Sequence, residues 1–213
     1  MVKISASLLT KSDNETILKL NNTNIDYFHI DVMDGKFVDK TKFSIPEINE
    51  LKPHINKSMD IHLMVEDPNA YIDDLKSSKI EYITVHYETL NGDYSVLEKI
   101  KKNGIKCGIS VKPNTDIKDI FYLLDKIDLI LIMSVDPGYG GQKFLESSLD
   151  KVRLIKEEVL KHNYKAIISI DGGINNLNAK SCIEAGCDML VSGSYIIRSN
   201  NYQASIDSLR LMQ

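Results

Sequence analysis

Eight apolar, β-branched segments recur along the chain, and each is followed by a stretch with helical spacing and charged outer positions. Few folds accept that pattern. The strand segments are Val2 to Leu9, Tyr27 to Met33, Ser58 to Val65, Tyr82 to Tyr87, Lys106 to Val111, Leu129 to Val135, Ala166 to Asp171 and Met189 to Ser194. Helices are expected at Asp13 to Asn22, Ile45 to Leu51, Asn69 to Ser78, Tyr94 to Asn103, Ile117 to Lys126, Ser147 to His162, Asn178 to Ala185 and Tyr202 to Met212. Pro68 opens the third helix, Asn103-Gly104 closes the fourth and Ala185-Gly186 the seventh. Alternation with short connections requires parallel pairing, and eight repeats predict an α/β fold, one closed (β/α)₈ barrel spanning residues 1–213. An open doubly wound sheet lacks its usual support, a Gly-x-Gly-x-x-Gly after the first strand.

Composition agrees with one domain. Barrels of this kind run to roughly 200–250 residues, and 213 residues with 43% hydrophobic content supply a core. The formal charge of −4 is spread along the chain, so no basic stripe predicts nucleic acid. Cys107, Cys182 and Cys187 are odd in number and form no Cys-x-x-Cys, which disfavours a disulfide framework and fits a reducing compartment. Met1 to Thr10 is too short and too polar for a signal peptide, and no run approaches a membrane span. A soluble, cytoplasmic, homo-oligomeric protein without membrane or nucleic-acid partners is expected.

In such barrels chemistry gathers at the C-terminal ends of the strands. Alternation puts His29, Asp31 and Met33 on one face of the second strand and Phe28, Ile30 and Val32 on the other. A single His-x-Asp is usually an accidental pair. Here, however, the third strand brings His62 to the matching position, and the seventh ends on Asp171 before Gly172-Gly173. Two imidazoles and two carboxylates facing one mouth form an N₂O₂ set suited to one divalent ion, zinc, iron(II), manganese or cobalt. Ser7 and His86 also fall near strand ends and are expected to support substrate contact, whereas His54 and His162 read as surface residues.

Glycine marks a second constellation. Asp136-Pro137-Gly138-Tyr139-Gly140-Gly141-Gln142 follows the sixth strand, with Gly172-Gly173 and Ser192-Gly193-Ser194 after the seventh and eighth. Backbone N–H groups there can hold a phosphate without Lys or Arg, a recurrent use of this barrel position. The Pro-Gly-Tyr-Gly-Gly loop is expected to act as a lid.

These motifs resemble the ribulose-phosphate 3-epimerase family. The likeness runs through Ile4 to Leu9, His29 to Val38, Asp60 to Val65, Ile83 to His86, Val135 to Phe144, Asp171-Gly172-Gly173 and Ser192-Gly193-Ser194. It implies that His29, Asp31, His62 and Asp171 bind the metal, with Asp31 and Asp171 also moving protons. It further implies that Ser7 and His62 touch substrate, that Gly138, Tyr139, Gly140 and Gly141 close over it, and that Gly172, Gly173, Gly193 and Ser194 hold its phosphate. Met33, Met64 and Met133 match the family's methionine collar, although core packing explains each equally well.

The activity implied is metal-dependent interconversion of D-ribulose 5-phosphate and D-xylulose 5-phosphate at C3, through an enediolate, in the pentose phosphate pathway. Asp39-Lys40 replaces the usual Pro-Asn, while Lys112 and Asp136 stand where Asn is common. Asp136 also resembles the allulose-phosphate epimerases, so a D-allulose-6-phosphate 3-epimerase acting on a hexulose phosphate is the alternative. A sugar-phosphate lyase of the same barrel type ranks lower, because Asp31-Val32-Met33-Asp34 lacks the lysine of Asp-x-Lys-x-x-Asp. A non-catalytic phosphosugar binder has no evident use for paired acids and imidazoles.

Overall fold

A computed structural model describes residues 1–211. The eight expected segments form strands β1 (Lys3–Ser7), β2 (Tyr27–Asp34), β3 (Ser58–Met64), β4 (Ile80–His86), β5 (Lys106–Val111), β6 (Leu129–Met133), β7 (Ile167–Asp171) and β8 (Met189–Ser192). Each pairs in parallel with its sequence neighbour, and β8 pairs with β1 to close the barrel. A two-residue strand, Thr41–Lys42, adds an antiparallel pairing to the end of β2.

Alternation sorts side chains into two cores. Phe28, Ile30, Ile61, Leu63, Ile83 and Val85 are fully buried beneath the helices, each contributing roughly 1.5–3 kcal/mol of apolar burial. A second cluster, with Tyr27, Tyr82, Leu129, Leu131, Met133, Met189 and Val191, is built from the alternate strand positions and plugs the barrel. Tyr27 and Tyr82 meet edge to face at 5.6 Å, the arrangement that ring quadrupoles favour. Aspartates preceding three strands tie neighbours together: Asp26, Asp128 and Asp188 accept from the backbone N–H groups of Ile4, Cys107 and Ile168 at 2.8, 2.9 and 2.9 Å. These ties lie at the N-terminal ends of the strands, the end that serves stability in such barrels.

Helices α1 (Asn14–Asn21) and α2 (Ile45–Leu51) follow β1 and β2. At the start of α1, Asp13 accepts from Thr16 N–H at 3.0 Å, and at α2 Glu47 accepts from Ser44 N–H at 2.7 Å. The helix expected over Asn69 to Ser78 is one turn, α3 (Asn69–Ile72). Its continuation is rich in Asp and Ser, whose side chains compete with helical hydrogen bonding. A further turn, α4 (Tyr87–Leu90), precedes α5 (Ser95–Lys102). The helix expected over Ile117 to Lys126 is a 3₁₀ helix at Ile117–Leu123, opened by Asp116 accepting from Lys118 N–H at 3.0 Å.

The remaining helices are α6 (Ser148–His162), α7 (Ala179–Ala185), α8 (Ser194–Ile197) and α9 (Tyr202–Leu209). Gly186 ends α7 at φ +119°, a conformation that suits glycine. Met212, the expected end of the last helix, lies outside the described residues. Cys107, Cys182 and Cys187 are free and buried. No helix among the described residues is long and apolar enough to cross a membrane.

Candidate active site

Parallel register assembles the cluster. Asp31 on β2 lies beside His62 on β3, and Met133 on β6 beside Asp171 on β7. One donor atom from each of His29, Asp31, His62 and Asp171 falls within 4.8 Å of the other three. His29 Nε2 and His62 Nδ1 each stand 3.3 Å from Asp31 Oδ1, and His29 Nε2 stands 3.9 Å from Asp171 Oδ2. Bonds of about 2.1 Å around a tetrahedral ion put donors about 3.4 Å apart. The spacing fits.

Two observations on His29 extend the fit. Its Nδ1 lies 2.7 Å from Asp60 Oδ2, which also accepts from Ser5 Oγ at 3.0 Å. Its Nε2 is buried with no hydrogen-bond partner and faces the carboxylates of Asp31 and Asp171. A carboxylate behind one ring nitrogen and an unpartnered nitrogen in front is how metal-ligating histidines are usually held. Burial disfavours the His29 imidazolium, yet Asp31 and Asp60 outweigh it and hold the pKa well above its ordinary value. The site therefore selects positive charge, whether from a proton or from a metal ion.

The two catalytic candidates differ in environment. Burial pushes Asp31 up, but His29 and His62 beside it hold its carboxyl far below the usual range. Ser7 Oγ donates to Asp31 Oδ2 at 2.8 Å and fixes the carboxylate's rotation. Asp171 lacks such support. Burial, opposed by His29 and reinforced by the Asp31 charge, pushes it up to about 6.

Above the cluster lies a cavity. Ser7, Asp31 and Asp171 border it together with Met64, Met133, Gly138 to Gly141, Gly172, Gly173, Gly193 and Ser194. Met33 packs with Met64 and Val38 but faces the adjoining cavity. Gly172 and Gly173 take φ +124° and +64°, and a Cβ on Gly173 would stand 2.7 Å from the Gln142 carbonyl oxygen, so this turn needs glycine sterically. In the loop after β6, Gln142 Nε2 donates to the carbonyls of Asp136 and Tyr139 at 2.6 and 2.9 Å.

His86 stands behind the cluster, its Nε2 2.9 Å from His62 Nε2. Burial pushes its pKa down to about 4 and keeps it neutral. Phe37 packs on its ring at 4.5 Å, and Lys112 Nζ sits 3.9 Å from the Phe37 centroid. Lys40 lies 5.3 Å from the Tyr139 ring, so two departures from the family pattern each contact an aromatic. His54 and His162 are exposed. The sequence reading missed Ser5, Asp60 and Glu88 as supports. Asp60 stands two residues before His62, the same alternation that links His29 to Asp31.

A closed barrel whose catalytic rim gathers two imidazoles and two carboxylates beneath a glycine-lined cavity is the framework of a (β/α)₈-barrel enzyme. The chain belongs to the ribulose-phosphate 3 epimerase family, whose profile matches residues 3–197, and it is an isomerase of the epimerase type. It is 34% identical over 210 residues to ribulose-phosphate 3-epimerase of Helicobacter pylori, covering 98% of this chain and 97% of that one. With the Bacillus subtilis ribulose-phosphate 3-epimerase it shares 33% identity over 215 residues, 99% of each. The crystal structure of 3-hexulose-6-phosphate synthase from Salmonella typhimurium superposes with a TM-score of 0.66, covering 99% of this chain and 97% of that one. At 18% identity that likeness extends to the fold alone.

Proposed function

We propose that the protein is a metal-dependent epimerase interconverting D-ribulose 5-phosphate and D-xylulose 5-phosphate at C3. The observation that carries this reading is the pairing of Asp31 and Asp171, two carboxylates of opposite tendency, within one four-ligand cluster. His29, Asp31, His62 and Asp171 would hold one divalent ion, zinc, iron(II), manganese or cobalt. When bound, that ion supplies positive charge against the oxygens of an enediolate.

The protein's own groups do the rest. The C2 carbonyl acidifies C3–H, and Asp31, ionised and steadied by Ser7, takes that proton. Protonated Asp171 delivers its proton to the opposite face of C3, which gives the epimer. In the reverse direction the two exchange roles. Gly172, Gly173, Gly193 and Ser194 receive the phosphate through backbone N–H groups, and Gly138, Tyr139, Gly140 and Gly141 close over the sugar and exclude water. Met64 and Met133 provide an apolar wall and Ser7 contacts the substrate, whereas Met33 faces the adjoining cavity and His62, fully buried, acts from behind the cavity wall through the cluster. The proposal extends to a cytoplasmic homo-oligomer in the pentose phosphate pathway.

The test is Asp171→Asn, assayed for ribulose 5-phosphate conversion and for entry of solvent deuterium at C3. Conversion and exchange are expected to collapse; unchanged turnover removes Asp171 from the mechanism. Asp136 borders the cavity, which favours a second reading, a hexulose-phosphate epimerase. Parallel kcat/KM values on D-ribulose 5-phosphate and D-allulose 6-phosphate decide between the two.

A further inference from the structure

Glu88 lies beyond the end of β4, in the first turn of α4, and touches neither the cavity nor the four ligands. Its carboxylate is nonetheless fully engaged. Oε1 accepts from the Lys112 backbone N–H at 2.8 Å and from the Thr115 hydroxyl, while Oε2 faces His86 Nδ1 at 3.1 Å. Lys112 N–H can only donate, and a carboxylate can only accept. The third partner, His86, must then carry its proton on Nδ1.

From there the protons follow in sequence. Neutral His86 with Nδ1–H has a lone pair on Nε2, and that atom lies 2.9 Å from His62 Nε2. One proton must sit between the two nitrogens, so His62 supplies it and is the Nε2–H tautomer. In the neutral ring its Nδ1 is then a lone pair directed at the cluster, 3.3 Å from Asp31 Oδ1, a contact that only a cation or a proton between the two atoms can relieve. The reversed chain would set two lone pairs together at Glu88 and His86, and would place a proton on His62 Nδ1 where a metal ion belongs.

We propose that Glu88 is a positioning residue that, through His86, locks His62 in the tautomer able to bind the metal. This rests on the metal-dependent reading above and adds a carboxylate–imidazole–imidazole line, partly exposed at Glu88 and buried at both imidazoles, behind the second histidine. Outer partners of ligating histidines commonly govern metal affinity by roughly 10- to 100-fold.

The test is Glu88→Gln in the full chain, with cobalt(II) and zinc affinities measured by competition with a chromophoric chelator. The glutamine amide must turn its NH₂ either toward Lys112 N–H, donor against donor, or toward His86 Nδ1, which reverses the proton chain. The expected result is a roughly 10- to 100-fold loss of metal affinity, with Thr115→Val, which leaves His86 contacted, close to wild type. Imidazole ¹⁵N spectra of the zinc-loaded wild type provide a measurement independent of whether the variant folds. His86 should appear as the Nδ1–H tautomer and His62 as Nε2–H. The opposite tautomers, or wild-type affinity in Glu88→Gln, overturn the proposal. Wild-type protein that binds none of zinc, cobalt(II), manganese(II) or iron(II) overturns the metal-dependent reading itself and this proposal with it, so the two failures are distinguishable.

Discussion

Asp171 should make the metal-free protein less stable as pH rises, and Asp171→Asn should abolish that trend. The carboxyl moves from an ordinary value of 3.8 to about 6, chiefly because burial disfavours its charge. An acid with a raised folded-state pKa gives its full stability below its unfolded pKa and loses it as pH climbs through the folded one. A shift of about two units corresponds to about 3 kcal/mol. The side chain keeps 19% of its surface in water, so about 1–3 kcal/mol is the realistic range. The amide of the variant cannot titrate, so the difference between the two proteins reports Asp171 together with its coupling to His29, Asp31 and His62. Urea unfolding of both proteins in chelator, from pH 4 to pH 8, should show wild type losing that amount relative to the variant, mostly between pH 4 and 7. A divalent cation at pH 7.5 should reverse the order, since binding at 100 times Kd adds about 2.7 kcal/mol to wild type and less to a variant short of one ligand. A stability difference that stays flat across pH in chelator would refute the electrostatic argument.

Two further outcomes test the surroundings of the cluster. Asp60→Asn removes the charge behind His29 Nδ1, 2.7 Å away, and should lower metal affinity by roughly 10- to 100-fold; chelator competition reads this, and an unchanged affinity would show Asp60 to be a spectator. Gly173→Ala sets a Cβ 2.7 and 2.8 Å from the backbone of Gln142 and Phe144 at φ +64°, so stability should fall by about 1–3 kcal/mol and KM for the phosphorylated ketose should rise. Unaltered melting temperature and KM together would mean the turn relaxes freely.

The parts legible in the sequence were those that follow from local periodicity. Strands such as Ile167–Asp171 are isoleucine-rich runs that end at a glycine pair, and their alternation separates a face with Ser169 and Asp171 from a packing face with Ile168 and Ile170. Parallel register then brings Asp31 beside His62, so strand ends read one by one already gave the four-residue cluster. What escaped depended on contacts between distant segments. Glu88 is engaged by Lys112 and Thr115 from beyond β5, and no spacing within His86-Tyr87-Glu88 reveals them. The third helix escaped for another reason: its apolar positions keep helical spacing through Leu75, but its Asp and Ser residues turn the chain after Ile72. Periodicity reports which face is buried, and local polar competition decides where the helix stops.

The two aspartates show how one residue type takes two roles. Asp31 sits between two imidazoles and receives the Ser7 hydroxyl, so its charge is compensated from three sides. Asp171, at the end of β7 beside a glycine pair, meets the negative field of Asp31 with only His29 and His62 as relief. Separation of their protonation states therefore arises from where each strand ends, not from the acids themselves. On the mechanism proposed above, that separation would equip one to remove a proton while the other still has one to give. A reversible epimerisation also needs the gap to be crossable, because each direction uses the opposite starting state.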